Sequence, residues 1–172
     1  MPVMNADSDR NTALLREAAG QARAASAVLA RASGAQRNLA LQAAADALMA
    51  AEPEILAANR QDLAAASGTA AFQDRLKLDG TRIAAMARGL REIAELPDPL
   101  DRVLAAWTRP NGLRISRIPQ PIGVIGMIYE SRPNVGADAA ALAIKSGNAI
   151  LLRGGSESFH SGRAIHAAIA AG

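Results

Sequence analysis

Ile122-Gly123-Val124-Ile125-Gly126-Met127-Ile128 and, further on, Ala149-Ile150-Leu151-Leu152 decide the fold class. Both runs are short, apolar at successive positions and rich in β-branched residues, the pattern of strands buried on both faces of a parallel sheet. The residues between them predict a helix from Val135 to Ser146, ended by Gly147-Asn148. Ala164, Ile165, Ala168 and Ile169 form the apolar face of a further helix. Strand, helix, strand, helix in that order predicts a parallel α/β sheet.

Toward the amino terminus, Val103 to Ile118 contains two extended runs around Arg109-Pro110-Asn111-Gly112, which predict a β-hairpin carrying Trp107. Asn-Gly favours a tight hairpin because both residues tolerate positive φ. Before it the chain reads as helical. Leu14, Leu15, Val28 and Leu29 at helical spacing predict one helix over Ala13–Ala32, and Ser33 with Gln36 forms a capping box opening a second that runs to about Ala51. Pro53 suits the first turn of a third helix, with Ile55, Leu56 and Leu63 on one face and an end near Ser67-Gly68. Asp79 is positioned to cap a fourth, in which Ile83, Met86, Leu90 and Ile93 recur until Pro97 and Pro99 stop it. Leu96-Pro97-Asp98-Pro99 reads as a joint between the helical part and the hairpin.

Composition narrows the function classes. Half the residues are apolar, but alanine supplies much of that half, and there are only two Phe, one Trp and one Tyr. Long helices are favoured, because Ala has the highest helix propensity. The net charge of +3 is not gathered into any basic run, which argues against nucleic-acid binding. Met1 to Thr12 lacks the apolar core of a signal peptide, and no apolar run reaches membrane-span length, so a cytoplasmic protein without a membrane partner is expected. Cysteine is absent, which excludes disulfides, thiolate metal sites and thiol nucleophiles within these residues. His160 and His166 do not share a helical face, so a metal site is not expected and both read as solvated surface residues.

In open parallel sheets ligands bind beyond the carboxyl ends of the strands, here Tyr129–Asn134 and Arg153–Glu157. Arg153-Gly154-Gly155-Ser156-Glu157 combines a cation, two glycines that admit a close backbone approach and a following helix amino terminus, which suits a nucleotide. The same residues also read as a plain strand-to-helix turn, with Ser156 as cap and Glu157 favouring the helix dipole. Gly123 and Gly126 read as close-packing positions. Arg132 is suited to bidentate contact with a phosphate or carboxylate. Asn134 is suited to donate to a developing oxyanion, or alternatively to cap the helix.

Pro121-Ile-Gly-Val-Ile-Gly-Met-Ile-Tyr-Glu-Ser-Arg-Pro-Asn134, Asp138-Ala-Ala-Ala-Leu-Ala-Ile-Lys-Ser-Gly-Asn148 and Leu152-Arg-Gly-Gly-Ser-Glu157 strongly resemble the γ-glutamyl phosphate reductase family, a branch of the aldehyde dehydrogenase superfamily. Ile55-Leu-Ala-Ala-Asn-Arg-Gln-Asp-Leu63 resembles its amino-terminal helical region, so the likeness covers nearly all the chain after the first dozen residues. The resemblance implies an incomplete Rossmann-like sheet of the aldehyde dehydrogenase type. It also implies NADPH-dependent reduction of L-glutamyl 5-phosphate to L-glutamate 5-semialdehyde and phosphate in L-proline biosynthesis, with glutamate 5-kinase as pathway partner and a homo-oligomer at full length. By the same resemblance, Arg153 stands near a lysine placed beside the adenosine ribose, and Glu157 near a glutamate that bonds ribose hydroxyls, with one extra glycine between. Arg153, Gly154, Gly155, Ser156 and Glu157 are thus the implied cofactor-binding residues, Arg132 the substrate-binding residue, and Asn134 the oxyanion donor.

Family members attack the acyl phosphate with a cysteine to give a thioester that hydride reduces. No cysteine stands here, so the chain by itself is expected to be an inactive, truncated amino-terminal portion. The implied division is residues 1–100 as the helical part of the cofactor domain, 101–120 as an oligomerising hairpin and 121–172 as the incomplete α/β part, with the catalytic domain absent. The alternatives are a catalytically inactive nucleotide-binding module and a helical interaction module.

Overall fold

The computed structural model describes residues 6–172, with side chains described from Asp9 onward. The reading of Met1–Thr12 falls in part outside the described residues. Helix α1 spans Ala6–Leu29 and α2 Gly34–Ala50. The first helix starts earlier than its apolar spacing predicts, since nothing between Ala6 and Thr12 breaks a helix. The capping box forms as read: Ser33 Oγ accepts from Gln36 N at 3.2 Å and Gln36 Oε1 from Ser33 N at 2.8 Å. Helix α3 (Glu52–Ala65) has Pro53 in its first turn, and α5 (Gly80–Glu95) is capped by Asp79, whose Oδ1 accepts from Arg82 N at 2.8 Å.

Between them lies a helix that the apolar spacing did not announce, α4 (Ala70–Leu76), where Thr69 Oγ1 accepts from Phe72 N. Its seven residues bury only Leu76, too little for a period to be read.

Strands β1 (Ala105–Thr108) and β2 (Arg114–Arg117) pair antiparallel as expected. The turn is not the two-residue kind in which both Asn and Gly take positive φ. Gly112 alone does, at 86°, and its N–H reaches Arg109 O at 2.9 Å. Pro110 presets the first central position of a type I turn, and Gly112 follows as the left-handed residue of a three-residue loop.

Strands β3 (Val124–Ile128) and β4 (Ala149–Arg153) pair in parallel, with Val124 opposite Ala149 and Ile128 opposite Arg153. Both are half-buried rather than buried on two faces, and Ile128 is 79% exposed. Among the described residues each strand has a single neighbour, so the apolar run outlasts the cover available to it. Helix α6 (Pro133–Lys145) joins them and ends in a Schellman motif: Gly147, at φ 73°, donates to Ile144 O and Asn148 N donates to Ala143 O at 2.8 Å. Asn148 Oδ1 then accepts from Gly123 N at 2.8 Å, tying the helix exit to the entry of β3. A turn of 3₁₀ helix (Ser156–Ser158) and α7 (Phe159–Ala171) complete the fold.

One core joins both halves of the chain: Leu41, Leu48, Ile55, Ile83 and Leu90 from the first helices pack with Ala137, Ala141 and Ile165 from α6 and α7. Two buried cations lock this packing. Arg37, 3% exposed, sends one guanidinium nitrogen to both Asp98 oxygens at 2.9 and 2.7 Å, fixing the start of α2 against the segment leaving α5. Lys145 Nζ donates to Asn38 Oδ1 at 2.7 Å and to Ala94 O at 2.8 Å, joining α6 to α2 and α5. No described helix is long and apolar enough to cross a membrane.

Candidate functional site at the carboxyl ends of the parallel strands

The two loops singled out by the sequence meet where β3 and β4 end. Tyr129 N donates to Arg153 O at 3.0 Å, continuing the ladder one step, and Ser131 Oγ donates to Glu157 Oε2 at 2.7 Å. Glycine keeps this junction clear. A Cβ on Gly155 would lie 2.5 Å from Ser131 Oγ and 2.8 Å from Glu157 Oε2, and one on Gly154 would lie 3.1 Å from the Tyr129 ring. Tyr129 also reaches α6, where a Cβ on Gly136 would meet its Oη at 2.8 Å. The ring is therefore a wedge between the β4 loop and α6, and burial pushes its hydroxyl pKa up.

Glu157 is fully exposed, yet its carboxyl is held below the ordinary value. The Ser131 hydrogen bond is the largest cause, followed by the backbone N–H of Glu157, with smaller help from Ser156 and the charge of Arg153. An ionised, pre-positioned carboxylate is a good acceptor for paired hydroxyls.

Neither alternative capping role is found. Gly155 is the cap of the 3₁₀ turn and Ser158 that of α7, so Ser156 caps neither. Arg132 is the cap residue of α6, and Asn134 lies inside the helix, hydrogen-bonded to Asp138. Burial raises the Asp138 pKa and that bond opposes the rise.

The carboxylate that satisfies the start of α7 comes instead from α3. Asp62, 4% exposed, accepts from His160 N at 3.0 Å and Ser161 N at 2.7 Å, and also from Ser161 Oγ. Beside it, the Asn59 amide donates to Ser161 Oγ at 3.0 Å and to Leu76 O at 2.8 Å, and accepts from Leu78 N at 2.8 Å. Sequence reading passed over both residues, since a polar residue inside an amphipathic helix looks solvated until its partner distant in sequence is known. The loop after β4 is thereby held from behind by α3.

Around the junction the surface is concave. A groove of about 650 Å³ between α6 and α7 is lined by Gly136, Ala140, Gly154, Gly155, Ser156 and Arg163. On the loop side a cleft of about 630 Å³ is lined by Arg75, Tyr129, Arg132, Arg153, Gly155 and Glu157. Arg153, Gly155, Glu157 and Arg132 are thus brought together. Asn134 lines an adjacent cavity of about 410 Å³, sharing Arg132 and Arg75 with the cleft. Among the described residues no group of His, Cys, Asp and Glu is arranged to hold a metal ion, and His160 and His166 are exposed.

No family model matches the chain. Individual proteins do. It is 63% identical over 153 residues to the γ-glutamyl phosphate reductase of Gluconobacter oxydans, covering 88% of this chain and 36% of that protein. To the reductase of Acidiphilium cryptum it is 61% identical over 160 residues, covering 93% and 38%. The crystal structure of the Thermotoga maritima γ-glutamyl phosphate reductase superposes with a TM-score of 0.89 at 44% identity, over 90% of this chain and 38% of that one. The chain is homologous to the amino-terminal part of γ-glutamyl phosphate reductases. It spans little more than a third of the length of these relatives. A salicylaldehyde dehydrogenase from Pseudomonas putida, at 20% identity and a TM-score of 0.68 over 90% of this chain and 30% of that one, shares the fold, so the reductase homologue has the aldehyde dehydrogenase architecture expected.

Proposed function

We propose that these residues form the cofactor side of an enzyme that reduces L-glutamyl 5-phosphate to L-glutamate 5-semialdehyde and phosphate with NADPH, a step of L-proline biosynthesis. The observation that carries this reading is the loop junction itself: Glu157 ionised and oriented by Ser131, with Gly154 and Gly155 clearing the approach, in a chain 63% identical to a named γ-glutamyl phosphate reductase.

The residues present suit a dinucleotide. Side chains at Gly154 and Gly155 would fill the junction, and the groove behind it, about 650 Å³, is of the size that small-molecule sites take. Glu157, which lines the loop-side cleft, would hold the adenosine ribose through its hydroxyls, Arg153, which lines both cleft and groove, would supply a cation to the ribose or phosphate, and Ser156 lines the groove with the two glycines. When bound, NADPH supplies hydride. Arg132 orients the substrate through an anionic group, and Asn134 donates to the oxygen on which negative charge develops.

The reaction needs a nucleophile, and none of the 172 residues is cysteine, so the isolated chain binds the cofactor without turning substrate over. The hairpin carrying exposed Trp107, Leu104 and Leu113 serves subunit association in the assembled enzyme, and glutamate 5-kinase supplies the substrate.

The test is titration of NADPH into the 172-residue protein, followed by nicotinamide fluorescence. Saturable binding weakened by Glu157→Ala, with no consumption of NADPH on adding substrate, is expected; absence of saturable binding overturns the cofactor assignment.

A further inference from the structure

The cavity between α4, α5 and the start of α6 is lined by Arg75, Lys77, Arg82 and Arg132, against two acids, Asp74 and Asp138. These cations are not equivalent. The Arg82 guanidinium is committed to the protein: it donates to Asp74 O and Lys77 O, each at 2.5 Å, and to Asp74 Oδ1 at 2.9 Å. It neutralises Asp74 and braces the chain between α4 and α5. Arg75 spends one N–H on Ala71 O at 3.4 Å and lies 6.0 Å from the centre of the Phe72 ring. Among the described residues Lys77 and Arg132 make no side-chain hydrogen bond or ion pair.

The backbone under Lys77 is unusually well fixed for an exposed connection. Leu76 and Leu78 on either side are buried, at 0% and 6% exposure, and Asn59 bonds both, its amide to Leu76 O and its carbonyl from Leu78 N. Lys77 N adds a bond to Gln73 O at 3.0 Å, and Arg82 holds Lys77 O. A lysine is thus presented, from a connection clamped on both sides, to a cavity that Arg132 and Asn134 also line.

We infer that this cavity is an oxyanion pocket for the substrate, in which Lys77, Arg75 and Arg132 hold a phosphate or carboxylate group while Arg82 and Asn59 act as positioning residues. The inference rests on the proposed reaction only for the identity of the substrate. The pocket itself follows from three cations with free donors sharing one concavity. Both ends of an acyl phosphate of an amino acid, the phosphate and the α-carboxylate, present the chemistry the pocket takes. Asn59 also donates to Ser161 of α7, so one buried amide sets the position of this pocket and of the cofactor loop together.

The experiment uses inorganic phosphate and, separately, L-glutamate as probes with the 172-residue protein at low ionic strength. Binding is read by ³¹P line broadening for phosphate and by calorimetry for both. Lys77→Ala and Arg132→Ala each weaken the bound probe about tenfold or more, the loss expected for one charge-assisted contact, and Lys77→Arg restores much of it. Arg91→Gln, which removes a surface cation paired with Asp46, leaves binding unchanged. Retention of phosphate identifies a phosphate site, and retention of L-glutamate alone identifies a carboxylate site. Binding of neither probe, or equal loss in Lys77→Ala and Arg91→Gln, overturns the pocket. Parallel NADPH titrations separate the two proposals: anion binding lost with NADPH binding intact places the defect in the pocket, and the reverse pattern places it in the cofactor loop.

Discussion

Replacing Asp62 by alanine tests whether α3 holds the cofactor loop. The carboxylate is 4% exposed and accepts two backbone N–H groups at the start of α7, at 3.0 and 2.7 Å, together with the Ser161 hydroxyl. Hydrogen bonds to a charged group contribute about 1.5–3 kcal/mol each, and donors left buried without a partner cost about 1–3 kcal/mol each. Relaxation and water entry recover part of this, so a loss of about 3–4 kcal/mol is expected. With a urea slope of about 2 kcal/mol/M the unfolding midpoint should fall by about 1.5–2 M. Asp62→Asn keeps one acceptor oxygen and should lose roughly half as much. Asp79→Ala, which removes a solvent-exposed helix cap, gives the scale for an ordinary capping loss, about 1 kcal/mol. Urea unfolding followed by circular dichroism at several protein concentrations measures all three. A midpoint for Asp62→Ala no lower than that for Asp79→Ala would refute the claim that the α7 amides depend on this carboxylate. Because α7 follows the 153–157 loop, the same variant should also weaken NADPH binding at urea concentrations where it remains folded.

Gly155→Ala should weaken NADPH binding while leaving the thermal midpoint nearly unchanged: its φ of −67° suits any residue, so the added methyl acts by displacing Ser131 and Glu157. An unaltered Ser131–Glu157 contact by NMR would count against this. Gly147→Ala should cost about 1–2 kcal/mol or more in thermal unfolding, since φ there is 73° and a Cβ would lie 3.0 Å from both Leu100 and Pro121. Glu157, with its folded pKa depressed, contributes stability present above the unfolded carboxylate range, about 4.3, and lost as pH falls through the lower folded value. A ¹³C titration of its carboxyl should therefore move upward in Ser131→Ala, and an unchanged curve would remove Ser131 as the main cause. Arg37→Ala should destabilise by about 3–5 kcal/mol in urea unfolding, because it leaves the partly buried Asp98 without its buried partner.

Local signals were enough for much of the fold. Ser33-x-x-Gln36, Pro53, Asp79 and Gly147 each mark an element boundary because the groups that decide it lie within one turn, and each boundary appears where they stand. The β-branched runs gave β3 and β4 and their parallel pairing, and the loops after them gave Arg153–Glu157 and Arg132 as neighbours. Three readings needed the third dimension. Ser156 and Asn134 have the composition of caps, but the caps of the elements concerned are Gly155, Ser158 and Arg132. The turn at Asn111-Gly112 has a single positive-φ residue, because Pro110 fixes the opening of the loop. The apolar strands are only half-covered, since burial depends on how many neighbours pair with them.

By itself the sequence determined the succession of the longer helices, the hairpin and the parallel strands, the boundaries marked by local caps, the likeness to the reductases and the polar loops that end the parallel strands, but not the short helix α4 or the early start of α1. Tertiary structure alone decided that Asp62 supports a helix that starts beyond residue 158, that Asn59 bonds both Leu78 and Ser161, and that Lys77 shares a cavity with Arg132. Those partners are brought together by the packing of one helix on another. A buried polar group gains its stabilisation only from the specific atoms that packing delivers, and no local pattern in the chain records which ones they are.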